Sequence, residues 1–334
     1  MQLKKHYGKL QQDVELKEQF LENMKKIDKN SDGYILNSRS NLKKIGEYEK
    51  RLNKDVYDFS LVELNDMLYE MEFGTWGAAR ELTNTLKKYL IYARSKNLGN
   101  MSLDITDFFR SDLLKKYVSK NKLKGKFINE KDLKKIINTP AINNPRDKLF
   151  LWLLRLGIRG KRFSELSMLK NTDVDIEGRF ITTNQEIVKN LPNEVIILIK
   201  QTINTNEYYN INKDRQGQRI EKALFLKKNN YLFRPVDRIG HVSKNMTATD
   251  FTQLFNKLKK YFEEYPYVTA MTIYTSGMLW SFRKYLQQYG YTNDDLNDTY
   301  KTNKIFEEFR QKHYPDATGS YSYDFVALYK NIMD

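Results

Sequence analysis

FINEKDLKKIINTPAINNPRDKLFLWLLRLGIRGKRFSELSMLKNTDVDIEGRFITT, residues 127–183, carries the strongest structural signals in the chain. Asn129 is a suitable N-cap for a short helix that Pro140 ends. The run RDKLFLWLLRLG is almost continuously apolar and of helical length, so we expect a buried helix that stops at Gly157 and Gly160. A second helix, SELSMLK, and a turn come next. RFITTN and the later NEVIILI predict two extended strands, which completes an order of helix, helix and hairpin.

Two further helices are predicted towards the C-terminus. TATDFTQLFNKLKKYFEEY (residues 247–265) and GMLWSFRKYLQQYG (residues 277–290) both repeat apolar residues at helical spacing. The region between them and the hairpin, residues 203–247, is polar and matches no single element. This half of the chain therefore reads as helical with a small β component.

The first half of the chain is strongly helical. Between Ser40 and Asn97, apolar residues recur at spacings of three and four, and Gly99 supplies a stop, which predicts a small helical bundle. Residues 1 to about 30 read as a polar helix that packs on another element. Six lysines lie from Lys115 to Lys126, and this segment predicts a flexible cationic strap between two domains.

The overall charge favours a polyanionic partner. The chain has 57 Lys and Arg against 42 Asp and Glu, a formal charge of +15, so nucleic acid and an anionic membrane surface both remain open. No segment reaches the ~20 apolar residues of a membrane span, and the N-terminus lacks a signal-peptide core, so we expect a cytoplasmic protein. With no cysteine and three histidines, we expect no metal, no cofactor and no small-molecule substrate.

The order of elements resembles that of the tyrosine recombinases, or phage integrases, over roughly residues 35 to 334. Residues 127–183 are similar to the start of that family's catalytic domain, including its first arginine motif, G-L-R-x-S-E-L. Arg162, in Arg162-Phe-Ser164-Glu165-Leu166, matches the motif's arginine. Gly157-Ile-Arg159 also resembles the first half of the motif, as if three residues were inserted, so Arg159 is the alternative.

The resemblance implies a mainly α fold with a small β-hairpin or sheet, built from a helical core-binding domain and a larger α+β catalytic-like domain. On this basis we predict four parts. They are an N-terminal helical extension (1–34), a SAM-like core-binding domain (35–110), a Lys-rich linker (111–126) and a catalytic-like domain (127–334).

The same resemblance implies where duplex DNA is contacted. The helix GTWGAARELTNTLKKYLIYARSKN (residues 74–97) is similar to the family's core-binding segment, and its polar side would contact phosphates; the other reading is a solvated helix face. In the second domain, Lys189 of Val188-Lys189-Asn190 matches the family's hairpin lysine, although it is one exposed lysine among many. The DNA-contact residues predicted in this way are Arg80, Thr83, Lys87, Arg94, Arg159, Arg162, Lys189 and Arg283.

The family's chemistry requires a tyrosine nucleophile and two arginines, and this set is incomplete here. The second arginine belongs in an H-x-x-R motif, where the chain reads TAMTIYTSGMLW (residues 269–280), with Thr275 at the position expected for arginine. His313 could fill the family's third position, and Tyr323 or Tyr329 the nucleophile position. Losing one charged group that stabilises the transition state typically lowers the catalytic rate by ~10²–10³-fold. We therefore expect that the protein is not an active recombinase.

Within the family, the chain resembles integrase-like repressors of SPβ-type prophages. That resemblance implies a sequence-specific, double-stranded DNA-binding transcription regulator that maintains lysogeny, located on the bacterial nucleoid and acting as a homodimer on DNA. Two alternatives stay open. One is an active but divergent site-specific recombinase. The other is a polyanion or membrane-surface binder, which needs only the charge.

Overall fold

The computed structural model describes residues 11–26, 31–99, 109–110, 113–184, 187–213, 219–238, 242–292, 294–313 and 322–333. Side chains are described throughout these ranges except for residues 11–13, 210–213, 219–222, 299, 322–324, 327, 331 and 333. Contacts divide the chain into two units, Met1–Leu123 and Lys124–Asp334. The predicted mainly α fold with small antiparallel sheets is confirmed.

The first unit is a helical bundle, as predicted. Its main helices are α1 (Gln11–Lys26), α2 (Asp32–Leu52), α3 (Leu61–Glu70) and α4 (Trp76–Ser95), followed by the short α5 (Lys120–Lys124). Capping boxes or N-caps set the helix starts: Ser31 caps α2, Ser60 caps α3 and Thr75 caps α4. The core joins apolar residues from all four long helices, including the fully buried Ile45, Leu64 and Leu86.

Helix α1 is part of this bundle rather than a separate extension. Phe20, Leu21 and Met24 are buried in the core. The ammonium of Lys17 pairs with Glu49 at 2.5 Å, and Glu49 is itself buried. A buried carboxylate needs such a partner. Lys17, a polar residue of α1, therefore helps to hold this helix against the bundle.

The lysine-rich segment is folded over most of its described length, which differs from the flexible strap expected from its charge. Leu114, Tyr117 and Leu123 are buried. Its backbone also pairs with the turn before α4: Phe73 N–H donates to the Tyr117 carbonyl at 3.2 Å, and Ser119 N–H donates to the Phe73 carbonyl at 2.8 Å. The apolar residues between the lysines anchor the segment, and the lysine charges remain at the surface.

The second unit contains α6 (Glu130–Ile137), α7 (Pro145–Arg155), α8 (Ser164–Met168), α9 (Asn193–Asn204), α10 (Ala248–Leu258), α11 (Ala270–Gln288), α12 (Thr299–His313) and α13 (Ser322–Met333). Helix α7 is the centre of the unit, because every residue from Leu149 to Leu154 is buried. It packs against α9 and α11. Among the described helices, none is long and apolar enough to cross a membrane.

Two small antiparallel sheets complete the unit. The first is β1 (Val174–Asp175), β2 (Phe180–Thr182) and β3 (Ile187–Val188), with Ile181 paired to Val174 and Val188. The second is the hairpin β4 (Glu207–Lys213) and β5 (Arg219–Phe225), which lies in the polar region that the sequence left unassigned. The prediction of a strand at NEVIILI is wrong, since these residues begin α9. Val195, Leu198 and Ile199 face the core at helical spacing.

A close contact between the backbones of α7 and α11 holds these two helices together at the centre of the second unit. An added Cβ at Gly277 would lie only 1.9 Å from the carbonyl oxygen of Arg155, so glycine lets the two backbones touch. Next to it, the Ser276 hydroxyl oxygen accepts a hydrogen bond from Ile128 N–H at 3.1 Å. The C-terminal end of α7 and the first half of α11 are thereby held side by side.

Candidate nucleic-acid interface

The turn that follows α7 holds the two arginines of the first motif. Gly157 and Gly160 have positive φ angles, and so do the non-glycine residues Arg162 (53°) and Phe163 (64°). A left-handed conformation at such residues costs of order 1 kcal/mol each and clusters at functional sites. The strained backbone of this turn therefore lowers stability and sets the positions of particular side chains.

Arg159 is the half-buried arginine of this turn. Its backbone N–H donates to the carboxylate of buried Glu165 at 3.1 Å, and its guanidinium lies 5.2 Å from the centre of the Phe163 ring. Within the described residues, its Nε is buried without a hydrogen-bond partner, and no carboxylate forms an ion pair with the guanidinium. Burial lowers the pKa of Arg159. A partly desolvated cation of this kind is stabilised when an anion binds.

Tyr274, in α11, lies close enough to Arg159 to act on it electrostatically, opposing the effect of burial on the arginine's pKa. The sequence placed the family's second arginine at Thr275. That threonine instead donates its hydroxyl to the Met271 carbonyl of its own helix at 2.9 Å. Tyr274, which the sequence analysis did not single out, thus has an electrostatic effect on Arg159.

The other predicted cations of the second unit lie at the surface. Arg162 is exposed on the strained turn, and Lys189 is exposed directly after β3. Arg283 is half-buried, with its guanidinium 5.4 Å from the centre of the Trp280 ring. Nine residues of α11 separate it from Tyr274, about 14 Å along the helix axis, so the two side chains do not share one phosphate.

The remaining positions of the family's chemistry lie in α12 and α13. Tyr329 is buried, with its ring packed edge-on against Phe282 at 5.2 Å. His313, at the end of α12, packs on Tyr285 and Phe309; partial burial and the charge of Lys312 lower its pKa. Tyr323 begins the next helix, and its side chain lies outside the described part of the structure.

In the first unit, α4 presents three of its four predicted contact residues to solvent. Arg80 is exposed and stacks on Trp76 at 4.5 Å, while Lys87 and Arg94 are half-exposed. Their spacing of seven residues is close to two helical turns, so they form a row. Thr83 differs from the prediction: it is 1% exposed and its hydroxyl donates to the Ala79 carbonyl at 2.8 Å. Its side chain is not available to DNA.

Comparison with known proteins gives matches in both halves of the chain. Residues 12–95 match the family model described as MrpR, N-terminal core-binding domain, and residues 127–333 match that described as MrpR, C-terminal catalytic domain. The SPbeta prophage-derived uncharacterized protein YopR of Bacillus subtilis (strain 168) is 23% identical over 273 residues, which cover 80% of each protein.

Two solved recombinase structures are similar to the chain, both with TM-scores below 0.5. The XerA recombinase has a TM-score of 0.35 at 14% identity, covering 91% of this chain and 99% of its own. The Tn1549 transposon integrase (aa 82–397), solved in complex with circular intermediate DNA, has a TM-score of 0.41 at 15% identity, covering 84% and 90%. Since the two domain models together match most of its length, the chain belongs to the MrpR family, with an N-terminal core-binding domain followed by the family's C-terminal catalytic domain.

Proposed function

We propose that this chain is a sequence-specific, double-stranded DNA-binding transcription regulator, a prophage repressor that binds its operator without cutting it. The half-buried guanidinium of Arg159 carries the proposal, because it has no carboxylate partner among the described residues. A DNA phosphate is the anion that such a group binds best, through paired N–H donors. The formal charge of +15 supports the same partner over long range.

Further cations in each unit would extend the contact along the duplex. In the second unit these are Arg162, Lys189 and Arg283, and in the first unit the row of Arg80, Lys87 and Arg94 on α4. Contacts of this kind fix the position and register of a protein on DNA, and they do not require that a DNA bond be cut. Such a regulator would bind its operator as a homodimer, in the cytoplasm, on the bacterial nucleoid.

The proposed loss of cutting is supported by the residue at the second arginine position. Thr275, which stands where the resemblance expects an arginine, has one hydroxyl, whereas an arginine offers five N–H donors and a permanent charge. A threonine adds no positive charge to stabilise a pentacoordinate transition state. Tyr329, one of the two candidates for the nucleophile, is buried. Binding needs neither group, so it can persist without cleavage.

Binding is tested by selecting a duplex from a random library and measuring its affinity by fluorescence anisotropy at fixed salt. Arg159→Ala should weaken binding by roughly tenfold or more, the usual effect of losing a charge-assisted hydrogen-bonding group. Arg51→Ala is the control, because it removes the same charge from a surface ion pair with Glu70. Equal losses in the two variants would contradict a specific role for Arg159.

Cutting is tested separately with a nicked suicide substrate carrying the selected operator. No covalent protein–DNA band is expected on a denaturing gel. The competing function, a divergent recombinase, is favoured by the description of the matched family model as a catalytic domain. It would be established by a covalent band that Tyr323→Phe abolishes.

A further inference from the structure

A small cavity of about 90 Å³ lies at the N-terminal end of α7, away from the turn that holds Arg159. Arg146, which lines it, is separated from Arg155 by nine residues of α7, about 14 Å along the helix axis. The loop after β5 and helix α10 supply most of the remaining walls. The cavity is thus a site apart from the proposed DNA contacts on the opposite end of α7.

Arg146 forms the floor of the cavity and is 6% exposed. Its guanidinium lies 4.2 Å from the centre of the Tyr208 ring, and Nη1 donates to the Arg234 carbonyl at 2.6 Å. Its neighbouring acid is Asp147, which forms an ion pair with Nε at 3.5 Å and also accepts hydrogen bonds from the Tyr208 hydroxyl and the Asn144 amide. Arg146 therefore contributes a buried, paired cation to the floor of the cavity.

Two further cations stand at the rim. Arg238 and Lys257 are both exposed, and neither has an ion pair or hydrogen bond with any residue that the structure describes. The rim carboxylate, Asp250, is already engaged, because it accepts from the N–H and hydroxyl of Thr247 in the capping box of α10. Three cations against two carboxylates, Asp147 and Asp250, leave a net positive charge, and the two exposed cations at the rim favour an anionic group.

One wall of the cavity is apolar. It consists of Pro235, Val236, Met246 and Leu254. We propose that this cavity binds a phosphoryl group, with the guanidinium of Arg146 below it, Arg238 and Lys257 around it, and the apolar wall against its organic part. The same chemistry occurs in a free phosphomonoester and in a nucleic-acid backbone, and the experiment below separates these two sources.

The first arm titrates phenyl phosphate and inorganic phosphate into the full chain by calorimetry at constant ionic strength. Phenyl phosphate should bind more tightly than inorganic phosphate, because its ring covers the apolar wall. The double variant Arg238→Gln and Lys257→Gln should weaken binding about tenfold or more. Lys259→Gln, an exposed lysine of the adjoining turn that does not line the cavity, is the control and should bind as the native chain does.

The second arm measures the salt dependence of duplex binding for the same variants. If the phosphate comes from DNA, free phosphates will not bind, and the double variant will lower the slope of log affinity against log salt by about one per lost contact. Lys259→Gln should leave that slope unchanged. The proposal is overturned if the double variant matches Lys259→Gln in both arms. Both variants replace exposed side chains, and their melting temperatures show whether the fold is intact.

Discussion

Replacing Gly277 by alanine tests the contact that holds the phosphate-binding turn in place. Gly277 lies inside α11, and the added Cβ would meet the Arg155 carbonyl oxygen at 1.9 Å, whereas real Cβ contacts essentially never fall below 3.0 Å. The obstacle is backbone in the last turn of α7, so no side chain can rotate away. Helices α7 and α11 must separate by about 1.1 Å.

The size of the effect follows from three contributions. Overpacking a core contact costs about 1–3 kcal/mol. Stretching the neighbouring hydrogen bond from Ile128 N–H to Ser276 adds roughly 1 kcal/mol. Alanine returns about 1 kcal/mol, because it favours the helix over glycine. The net loss is about 1–3 kcal/mol in free energy of unfolding, which lowers the Tm of a unit of this size by about 2–12 °C.

Calorimetry on the full chain measures this shift, with Gly46→Ala as the matched control. Gly46 also lies inside a helix, but the nearest atom to its added Cβ is Glu49 Oε2 at 3.6 Å, so this variant should gain up to about 1 kcal/mol. Gly277→Ala should also weaken duplex binding, since α7 leads into Arg159 and α11 carries Tyr274. A Gly277→Ala protein that melts at or above the native Tm would refute the close approach of the two helices.

Three further expectations concern stability. Arg234→Met should destabilise the chain by about 3 kcal/mol in urea denaturation, because the buried guanidinium donates to carbonyls at the end of α9 that would lose their partner; an unchanged midpoint would contradict this. Tyr329→Phe should keep duplex affinity, whereas Tyr329→Ala should lower the Tm because its ring packs against Phe282, as scanning fluorimetry would show. Hydrogen bonds from Lys54 and the Ser60 backbone lower the pKa of Glu63 from 4.5 to about 2. The stabilisation that they give is therefore present above pH 4.5 and is lost as the pH falls from 4.5 towards 2. The difference in Tm between Glu63→Gln and the native chain should close over the same pH range.

Local signals in the sequence were sufficient for most helices. Asn129 caps α6 as predicted, and its side chain accepts from Asp132 N–H. The apolar run of α7 is buried throughout, as its composition indicated. Helix caps and apolar periodicity depend only on residues close together in sequence, so they predict a helix without knowledge of the tertiary fold.

The elements that were missed depend on contacts distant in sequence. The seven residues NEVIILI suit a buried strand or a buried helix equally well, and only the continuation to buried Thr202 reveals the helical period. Strands β4 and β5 pair with each other, and Tyr208 is buried while the adjacent Tyr209 is exposed. Their pairing joins residues such as Glu207 and Phe225, which are distant in sequence, so no short-range signal marks it.

The row of contact residues on α4 illustrates a different limit. A helical wheel groups Thr83 with Arg80 and Lys87, but the structure buries Thr83 and exposes or half-exposes the two cations. A threonine can be buried in a helix without loss, because its hydroxyl bonds to a carbonyl one turn earlier. On this helix the longer charged side chains of Arg80 and Lys87 extend to the surface instead. Charge was therefore the reliable signal on this face, and polarity was not.

The candidate site shows what a motif can and cannot indicate. Both arginines of the first arginine motif were identified from the sequence, but only the fold shows that Arg159 is the half-buried one and Arg162 the exposed one. The difference depends on the left-handed backbone at Arg162 and Phe163, which no motif specifies. The packing beside this turn is equally hidden in the sequence. Gly277 touches the Arg155 carbonyl at the end of α7, so a glycine that holds no chemistry sets how closely α11 approaches the helix that leads into Arg159.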